Sequence, residues 1–280
     1  MEEEDKTKKG FSKPLKVAVP VLAAVILLAW LIYTPPGLFG KMDAIGYAVC
    51  HRIGSHSHFM GDRQMPLCAR CSGMHLGALL GLIYQFRYPK RGGMPSRKIL
   101  IVLGVFLLIF GLDGANSYLT LGRETGSAIP LLANISPLYE PQNWLRTLTG
   151  LMLGLGISAL LYPVFNQTLW KDWNPAPALS TWKQLFVLMG LALVLEAAIL
   201  SGNVLLMLPL AILSSLNVLI VLGMIYTIVW AMVLKRENVF TVFSQTWVLV
   251  LFGLTTALLQ IGLMDYGRFW LTGTWGGFFG

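Results

Sequence analysis

Residues 50–75 read CHRIGSHSHFMGDRQMPLCARCSGMH, and this polar stretch lies between two apolar segments of the chain. All three cysteines and all four histidines of the 280 residues fall within it. Thiols and imidazoles are ligands for borderline metal ions such as zinc, so their confinement to one stretch predicts a metal site or a thiol site. We refer to residues 50–75 as the Cys/His loop.

The composition of the whole chain is that of an integral membrane protein. Hydrophobic residues make up 55% of the sequence and charged residues 12%, whereas soluble domains contain about 25% charged residues. The mean hydropathy is +0.66. The net charge of +8 comes from short basic clusters between apolar segments, a placement typical of cytoplasmic loops rather than of a nucleic-acid-binding surface. We therefore expect the lipid bilayer as a partner of this chain, and no nucleic acid.

Seven apolar segments predict an all-α fold. We expect a polytopic bundle of about seven transmembrane helices, and six or eight helices are also compatible with the sequence. A crossing needs about 20 residues, and the second segment is barely long enough. Glycines repeat every four residues in that segment, at Gly73, Gly77 and Gly81, which predicts the close approach of another helix. The segments cover residues 17–33, 71–86, 99–119, 144–165, 185–200, 203–234 and 240–264.

The last two of these segments carry polar residues that bear on where the helices break and end. The segment 203–234 is too long for a simple crossing. Pro209 and the polar residues at 214–217 predict a break in it, with a short interfacial piece before the helix itself. After the final segment, Asp265 and Arg268 are expected to mark the exit from the membrane.

Three regions follow one another along the chain. Residues 1–16 are polar and charged, and they predict a disordered cytoplasmic N-terminal tail. Residues 17–165 form the core membrane region that carries the Cys/His loop. Residues 166–280 form the C-terminal membrane helices.

Loop charge predicts the orientation, because positively charged loops remain in the cytoplasm. The segments 87–98, 166–183 and 235–239 contain five, two and two basic residues, and the N-terminal tail adds five. This distribution predicts a multi-pass protein of the cell membrane, an inner or plasma membrane, with its N-terminus inside and its C-terminus outside. The Cys/His loop is then extracytoplasmic, although its three arginines depart from the charge rule.

The cysteines and one histidine have the spacing C-x17-C-x2-C-x3-H, from Cys50 through Cys68 and Cys71 to His75. A C-x2-C turn brings two sulfur atoms together, and His75 follows Cys71 on the same helical face. The spacing predicts a four-ligand site for zinc or a similar divalent metal, formed by the three cysteines and either His75 or His51.

The same residues leave two alternatives to the metal site open. Cys68 and Cys71 have the spacing of a redox dithiol, which is typical of a membrane thiol–disulfide oxidoreductase. A loop without chemistry is the other alternative, although an odd third cysteine fits a metal better than a set of disulfides. His56 and His58 are interpreted as solvated loop residues.

Ionisable groups within the apolar segments are a second set of candidates, because a charge at the centre of a bilayer costs about 2.5–3.5 kcal/mol on insertion scales. Asp113 and Glu196 are the candidate catalytic residues, as bases toward a metal-bound water. Instead of a catalytic role, Asp113 could have a structural role as the ion-pair partner of Arg146. In a transporter or lipid carrier the two acids would be coupling groups, and arginines would attract an anionic lipid or a small-molecule substrate. The sequence leaves open whether the protein is an enzyme.

The motifs around the cysteines resemble a known family. CHR at 50–52 and RQMPLCARCSG at 63–73 look like the signature of a polytopic membrane family catalogued as a domain of unknown function, DUF2085. LDG at 112–114 and RTLTG at 146–150 are similar to its later motifs. The resemblance covers roughly residues 45–160 and implies a bacterial or archaeal inner-membrane protein. It implies no activity, cofactor or residue role.

Overall fold

The computed structural model describes residues 10–124, 126 and 135–276. Residues 1–9 of the predicted disordered tail lie outside the described residues. The first helix already begins at Lys13, inside the region predicted as the tail.

Eight α-helices make up most of the described part of the chain. Six of them, α1 and α4 to α8, are long and apolar enough to cross a membrane by length and composition. The predicted all-α membrane bundle is confirmed, and six spanning helices fall within the expected range. The helices are α1 (Lys13–Tyr33), α2 (Gly37–Val49), α3 (Ala69–Gln85), α4 (Arg97–Glu124), α5 (Asn143–Leu169), α6 (Trp182–Leu200), α7 (Val204–Val233) and α8 (Trp247–Thr272).

Helix α3 has 17 residues and is shorter than these six, but it also runs between the two ends of the bundle. Helix α3 begins within the Cys/His loop. Asn143, the first residue of α5, donates a hydrogen bond to the carbonyl oxygen of Ser57 in the same loop. Near the other end of α5, the Tyr162 hydroxyl donates to the carbonyl oxygen of Tyr88, just after α3, at 2.8 Å. α3 and the part of α5 from Asn143 to Tyr162 therefore run between the same two ends, which agrees with seven traversals of the bundle.

The basic loops meet at the end of the bundle opposite to the Cys/His loop. Strand β3 (Arg91–Gly93) pairs in parallel with strand β4 (Asn174–Pro177), so the loops after α3 and α5 form a small sheet. We call this end the basic end and the other the Cys/His end.

Two further contacts join the chain at the basic end. The Lys90 Nζ atom lies 2.8 Å from Asp172 Oδ2. The rings of Phe11 and Phe240 stack with their centroids 6.1 Å apart, which brings the described start of the chain to the same end. The loops that charge predicts to share one side of the membrane are therefore in contact.

Helices α3 and α5 pack through glycines, as the repeat in the sequence predicts. A Cβ atom at Gly77 would lie 2.2 Å from the carbonyl oxygen of Leu151, and one at Gly154 would lie 2.1 Å from that of Met74. Small residues let helix backbones approach in lipid, where no hydrophobic effect drives helices together. This contact holds the start of α3, with its cysteines, against α5.

Helix α7 is continuous, so the predicted break in residues 203–234 is wrong. Pro209 lies in the second turn of α7, where its missing N–H removes only one backbone hydrogen bond. The hydroxyls of Ser214 and Ser215 donate to the carbonyl oxygen of Ala211 at 2.9 and 3.1 Å. These bonds satisfy the two hydroxyls within the helix, so the polar residues do not interrupt it.

Helix α8 continues to Thr272, beyond the predicted segment end at residue 264, and the level at which it leaves the membrane stays a prediction. Asp265 Oδ2 accepts a hydrogen bond from Trp30 Nε1 at 3.1 Å. Arg268 Nη1 donates to the carbonyl oxygen of Cys50 at 2.7 Å. Because protein groups replace water as partners of both side chains, neither residue requires the helix to end.

Helix α2 is short and corresponds to no predicted transmembrane segment. It has 13 residues, among which Ala44, Ile45 and Tyr47 are buried. It contacts α7 and α8. Burial against these two helices, rather than lipid, stabilises α2.

The orientation in the membrane stays a prediction, and reporter fusions test it. We expect a reporter that is active only outside the cytoplasm to be active after Arg63, in the Cys/His loop, and silent after Arg91, at the basic end. A second pair of fusions, active after Ser201 and silent after Lys235, provides an independent control. The opposite pattern would place the cysteines in the reducing cytoplasm.

Candidate metal centre

Three cysteine side chains from two separate parts of the chain meet at the Cys/His end. Cys50 follows the last residue of α2, Cys68 precedes the first residue of α3, and Cys71 lies in the first turn of α3. Their three sulfur atoms all lie within 4.8 Å of one another. The structure therefore brings together all three predicted thiol ligands.

The approach of α2 to the chain before α3 depends on Gly46. A Cβ atom at this position would lie 1.9 Å from the carbonyl oxygen of Pro66, so no larger residue fits without a shift of the backbone. Met65 and Leu67, on either side of Pro66, are both 0% exposed. Burial of these two side chains holds in place the segment that leads into Cys68.

Hydrogen bonds within the Cys/His loop hold the segment between the first two cysteines. Strands β1 (Phe59–Met60) and β2 (Arg63–Gln64) pair antiparallel. Gly61 in the turn between them has a φ of +61°, a left-handed conformation that favours glycine. The Gln64 side chain donates to the carbonyl oxygen of Arg52 at 3.0 Å. The loop is thus folded on itself, which gives its cysteines a defined separation.

The three thiols interact electrostatically as a group. Hydrogen bonds from the thiols of Cys68 and Cys71 lower the pKa of Cys50 well below its usual range, despite its burial. The backbone N–H of Cys68 also donates to Cys50 Sγ, with an N···S distance of 3.3 Å. The interaction with Cys50 in turn raises the pKa of Cys68. Two thiols thus stabilise one thiolate, and a metal cation would supply the charge that deprotonates the other two.

The two predicted histidine ligands do not belong to the group of three sulfur atoms. His75 lies one turn beyond Cys71 and is buried, and its Nδ1 atom has no hydrogen-bond partner among the described residues. Its carbonyl oxygen accepts a hydrogen bond from Asn217. The ring of His51 lies edge-on to Tyr118, whose hydroxyl is 2.9 Å from His51 Nε2. The identity of a fourth ligand stays a prediction.

The other two histidines of the loop are half-buried, which corrects their interpretation as solvated residues. His58 Nε2 lies 2.7 Å from Thr147 Oγ1 on α5, and burial lowers the pKa of His58. Burial, with the positive charges of Arg146 and Arg70, lowers the pKa of His56 to about 4. Both rings are therefore neutral at pH 7, and His58 attaches the loop to α5.

A small polar cavity lies beside the cysteines. Its volume is about 30 Å³, which is enough for one water molecule. Two arginine side chains line it, and one of them, Arg70, is paired with the carboxylate of Asp113. The polar residues that line it include His51, His56, Cys68, Arg70, Tyr118 and Arg146.

Asp113 is paired with Arg70 rather than with Arg146, so the predicted ion pair with Arg146 is wrong. Arg70 Nε donates to Asp113 Oδ2 at 3.1 Å, and the Tyr139 hydroxyl donates to Asp113 Oδ1 at 2.8 Å. Arg146 instead donates to Asn143 Oδ1 at 2.7 Å. The predicted pair rested on a shared depth in the membrane, and depth does not specify which way a side chain points around its helix.

The second predicted catalytic acid lies apart from this network. Glu196 is buried in α6, and neither of its carboxyl oxygens has a hydrogen-bond partner among the described residues. It does not line the cavity beside Cys68. The catalytic roles of Asp113 and Glu196 stay predictions, and in the structure both oxygens of Asp113 are occupied by hydrogen bonds.

Two residues of the site carried no signal of their role in the sequence. Tyr139 lies in a loop and reaches Asp113, and Arg268 of α8 donates to the carbonyl oxygen of Cys50. Each contact joins residues far apart along the chain, so neither motif spacing nor helical periodicity indicates it.

This site lies in the part of the chain that has recognisable relatives. Residues 50–160 match the family described as Predicted membrane protein (DUF2085). The match confirms the resemblance that the cysteine motifs predict. The DUF2085 segment contains all three cysteines, Arg70 and Asp113, whereas Glu196 lies beyond it.

Two archaeal proteins are similar to part of the chain. An uncharacterized protein of Methanocaldococcus jannaschii is 25% identical over 133 residues, which cover 47% of this chain and 72% of the relative. An uncharacterized protein of Methanothermobacter thermautotrophicus is 25% identical over 112 residues, or 40% of this chain and 83% of the relative. No solved structure matches the chain.

Proposed function

We propose that this multi-pass membrane protein binds one zinc-like divalent metal ion through Cys50, Cys68 and Cys71. The observation that carries the proposal is the convergence of the three sulfur atoms within 4.8 Å. In a tetrahedral zinc site with Zn–S distances of about 2.3 Å, the sulfur atoms lie about 3.8 Å apart. Small side-chain rotations would therefore complete the geometry.

His75 is the fourth ligand that we propose. Its Nδ1 atom is buried without a partner among the described residues, and an unsatisfied buried polar atom costs about 1–3 kcal/mol. Coordination to the metal would remove that cost. His51 is the alternative, because the Tyr118 hydroxyl beside its ring would orient it as an outer partner orients a metal-bound histidine.

The role that we propose for the metal is structural. It would join the end of α2 to the start of α3, two elements that are otherwise connected by the long Cys/His loop. A hydrolytic role would need a free base near the metal, and Asp113 instead accepts hydrogen bonds at both carboxyl oxygens. The adjacent cavity has room for one water molecule and not for a lipid headgroup, so it supports no lipid site next to the metal.

A thiol–disulfide oxidoreductase that uses Cys68 and Cys71 is the competing function of the same residues. A redox dithiol needs two sulfur atoms, whereas here a third converges on them from another helix. The third sulfur favours the metal over the disulfide.

Proton-coupled transport is a second candidate function, and Glu196 is the observation that favours it. A buried carboxyl group without a hydrogen-bond partner among the described residues is typical of a proton carrier within a membrane. Proton flux into proteoliposomes that is lost in Glu196→Gln would support it.

The metal content of the detergent-purified protein tests the proposal. We expect about one zinc-like ion per chain, the usual stoichiometry of a four-ligand site. Cys50→Ser, Cys68→Ser and Cys71→Ser should each lower the metal content to background, because each variant replaces one of the proposed thiolate ligands with a hydroxyl that binds zinc weakly. Alkylation of the thiols should be slow until a chelator removes the metal.

Histidine variants identify the fourth ligand. His75→Gln should lose the metal, whereas the matched control His58→Gln, a histidine of the same loop that bonds to α5, should retain it. If His51→Gln loses the metal and His75→Gln does not, the alternative ligand is correct. A metal-free protein with a reductant-sensitive bond between Cys68 and Cys71 would support the oxidoreductase. Three thiols that alkylate freely without chelator or reductant would contradict both functions.

A further inference from the structure

A large groove lies between α1 and α8, away from the cavity beside the cysteines. Its volume is about 610 Å³, within the range of about 300–1,000 Å³ that is typical of ligand sites. Its walls are mostly aliphatic and aromatic, with Ile26 from α1 and Leu258 from α8 among them. Both helices are candidate membrane spans, so the groove is within reach of lipid.

One polar side chain in this groove has an unused acceptor. Asp265 is 2% exposed and lines the groove. Its Oδ2 atom accepts a hydrogen bond from Trp30 Nε1 at 3.1 Å, but its Oδ1 atom has no partner among the described residues. A buried carboxyl oxygen without a donor is costly, so this atom points to a donor supplied by a bound molecule.

Lys41 of α2 and Arg268 of α8 are basic residues near the groove, and both donate hydrogen bonds to other acceptors. Lys41 Nζ donates to the carbonyl and hydroxyl oxygens of Thr34 at 3.0 and 2.8 Å. Arg268, one turn after Asp265, donates to the carbonyl oxygens of Tyr47 and Cys50. Neither the Lys41 ammonium group nor the Arg268 guanidinium group donates a hydrogen bond to Asp265 Oδ1.

Aromatic side chains surround the polar part of the groove. Trp30, Tyr33, Tyr266 and Trp275 all line it. Tryptophan and tyrosine are enriched where the hydrocarbon core of a bilayer meets the headgroups. The free oxygen of Asp265 therefore lies at the level where the glycerol backbone and hydroxyl groups of lipids are found.

We propose that this groove binds one membrane lipid with a free hydroxyl group, whose acyl chain lies along the groove and whose hydroxyl donates to Asp265 Oδ1. A phosphate at this position would meet the negative carboxyl group, and a choline group has no hydrogen to donate. A hydroxyl supplies the missing donor without bringing a charge into an apolar site. The proposal goes beyond the metal centre and does not rest on it.

Binding of labelled dioleoylglycerol to the full chain in detergent tests this inference. The matched ligand is its 3-acetyl ester, which has the same chains but no hydroxyl donor. We expect the alcohol to bind about tenfold more tightly than the ester, the factor for one hydrogen bond to a charged group. Asp265→Ala should remove this preference while both ligands still bind. Equal affinities of the two ligands for the native chain would overturn the contact with Asp265.

Two glycines of α8 provide variants that leave Asp265 in place. Gly262 lines the groove, and a Cβ atom there would make an ordinary contact with Trp30 at 3.7 Å, so Gly262→Leu should fold and fill the groove. Gly267 does not line the groove and has nothing within 4 Å of its Cβ position. We expect Gly262→Leu to abolish dioleoylglycerol binding and Gly267→Leu to retain it.

Two results from this glycine pair would overturn the proposal. In the first, Gly262→Leu binds the lipid as the native chain does, which would place the lipid elsewhere. In the second, the native chain is a dimer that Gly262→Leu converts to a monomer without any lipid bound to either. The groove would then be an interface between two copies of the chain.

Discussion

Gly154→Ala is expected to destabilise the protein by about 3 kcal/mol or more, at the upper end of the range for overpacking a core. The added Cβ atom would lie 2.1 Å from the carbonyl oxygen of Met74 and 2.5 Å from the backbone nitrogen of Ala78. Both atoms belong to the backbone of α3, so no side-chain rotation relieves the clash, and α3 and α5 must separate. The apparent melting temperature of the detergent-solubilised protein measures this loss.

Glycines elsewhere in the spanning helices are the matched controls. Gly104 in α4 and Gly190 in α6 have nothing within 4 Å of their Cβ positions. Alanine at either position should leave the stability unchanged or raise it by up to about 1 kcal/mol, because alanine favours helix. Losses of equal size at Gly154 and Gly104 would contradict the assignment of the Gly154 loss to the contact of α3 with α5, because alanine at Gly104 meets no neighbouring atom.

Arg70→Met is expected to cost about 3–5 kcal/mol, the usual loss when one partner of a buried ion pair is removed. The side chain of Asp113 is 2% exposed, and Arg70 and Tyr139 are its hydrogen-bond donors among the described residues. Without Arg70, a buried carboxylate is left with one neutral donor. The double variant Arg70→Met and Asp113→Asn should recover part of the loss, since it removes both charges.

Arg146→Met is the control for this pair. Arg146 is also buried in the same region, but its hydrogen bonds go to Asn143, Ser117 and the carbonyl oxygen of Ser55, and to no carboxylate among the described residues. We expect a smaller loss, with weaker coupling to Asp113→Asn than Arg70→Met shows. Strong coupling between Arg146→Met and Asp113→Asn in thermal unfolding would contradict the assignment of Arg70 as the partner.

Gly154→Ala and Arg70→Met both act on the position of α3, the first through the contact of α3 with α5 and the second through the hydrogen bonds of Arg70 to Asp113 on α4. The glycines of α3 and α5 permit the approach of the two helices, and Arg70 in the first turn of α3 then reaches Asp113 on α4. The cysteines lie at the same end of α3, so the proposed metal centre depends on this packing. Loosening of α3 should therefore weaken metal binding even when every ligand is present.

The membrane class, the approximate number of helices and the position of the candidate site are readable from the sequence. Burial of an apolar segment in lipid depends on the residues of that segment alone, so hydropathy along the chain indicates the spanning helices. Helix ends were less predictable. Asp265 and Arg268 are polar enough to end a helix in lipid, but Trp30 and the carbonyl oxygen of Cys50 are their partners in the fold.

The concentration of thiols and imidazoles in residues 50–75 predicts where a metal site or a thiol site would lie. It did not indicate that Cys50 would reach the other two sulfur atoms, because that depends on the contact of Gly46 with Pro66. The choice of Arg70 over Arg146 as the partner of Asp113 was likewise decided by the tertiary structure. Hydropathy gives the depth of a residue in the membrane, whereas its contacts depend on how each helix is rotated about its axis, and that rotation is set by packing between helices distant in sequence.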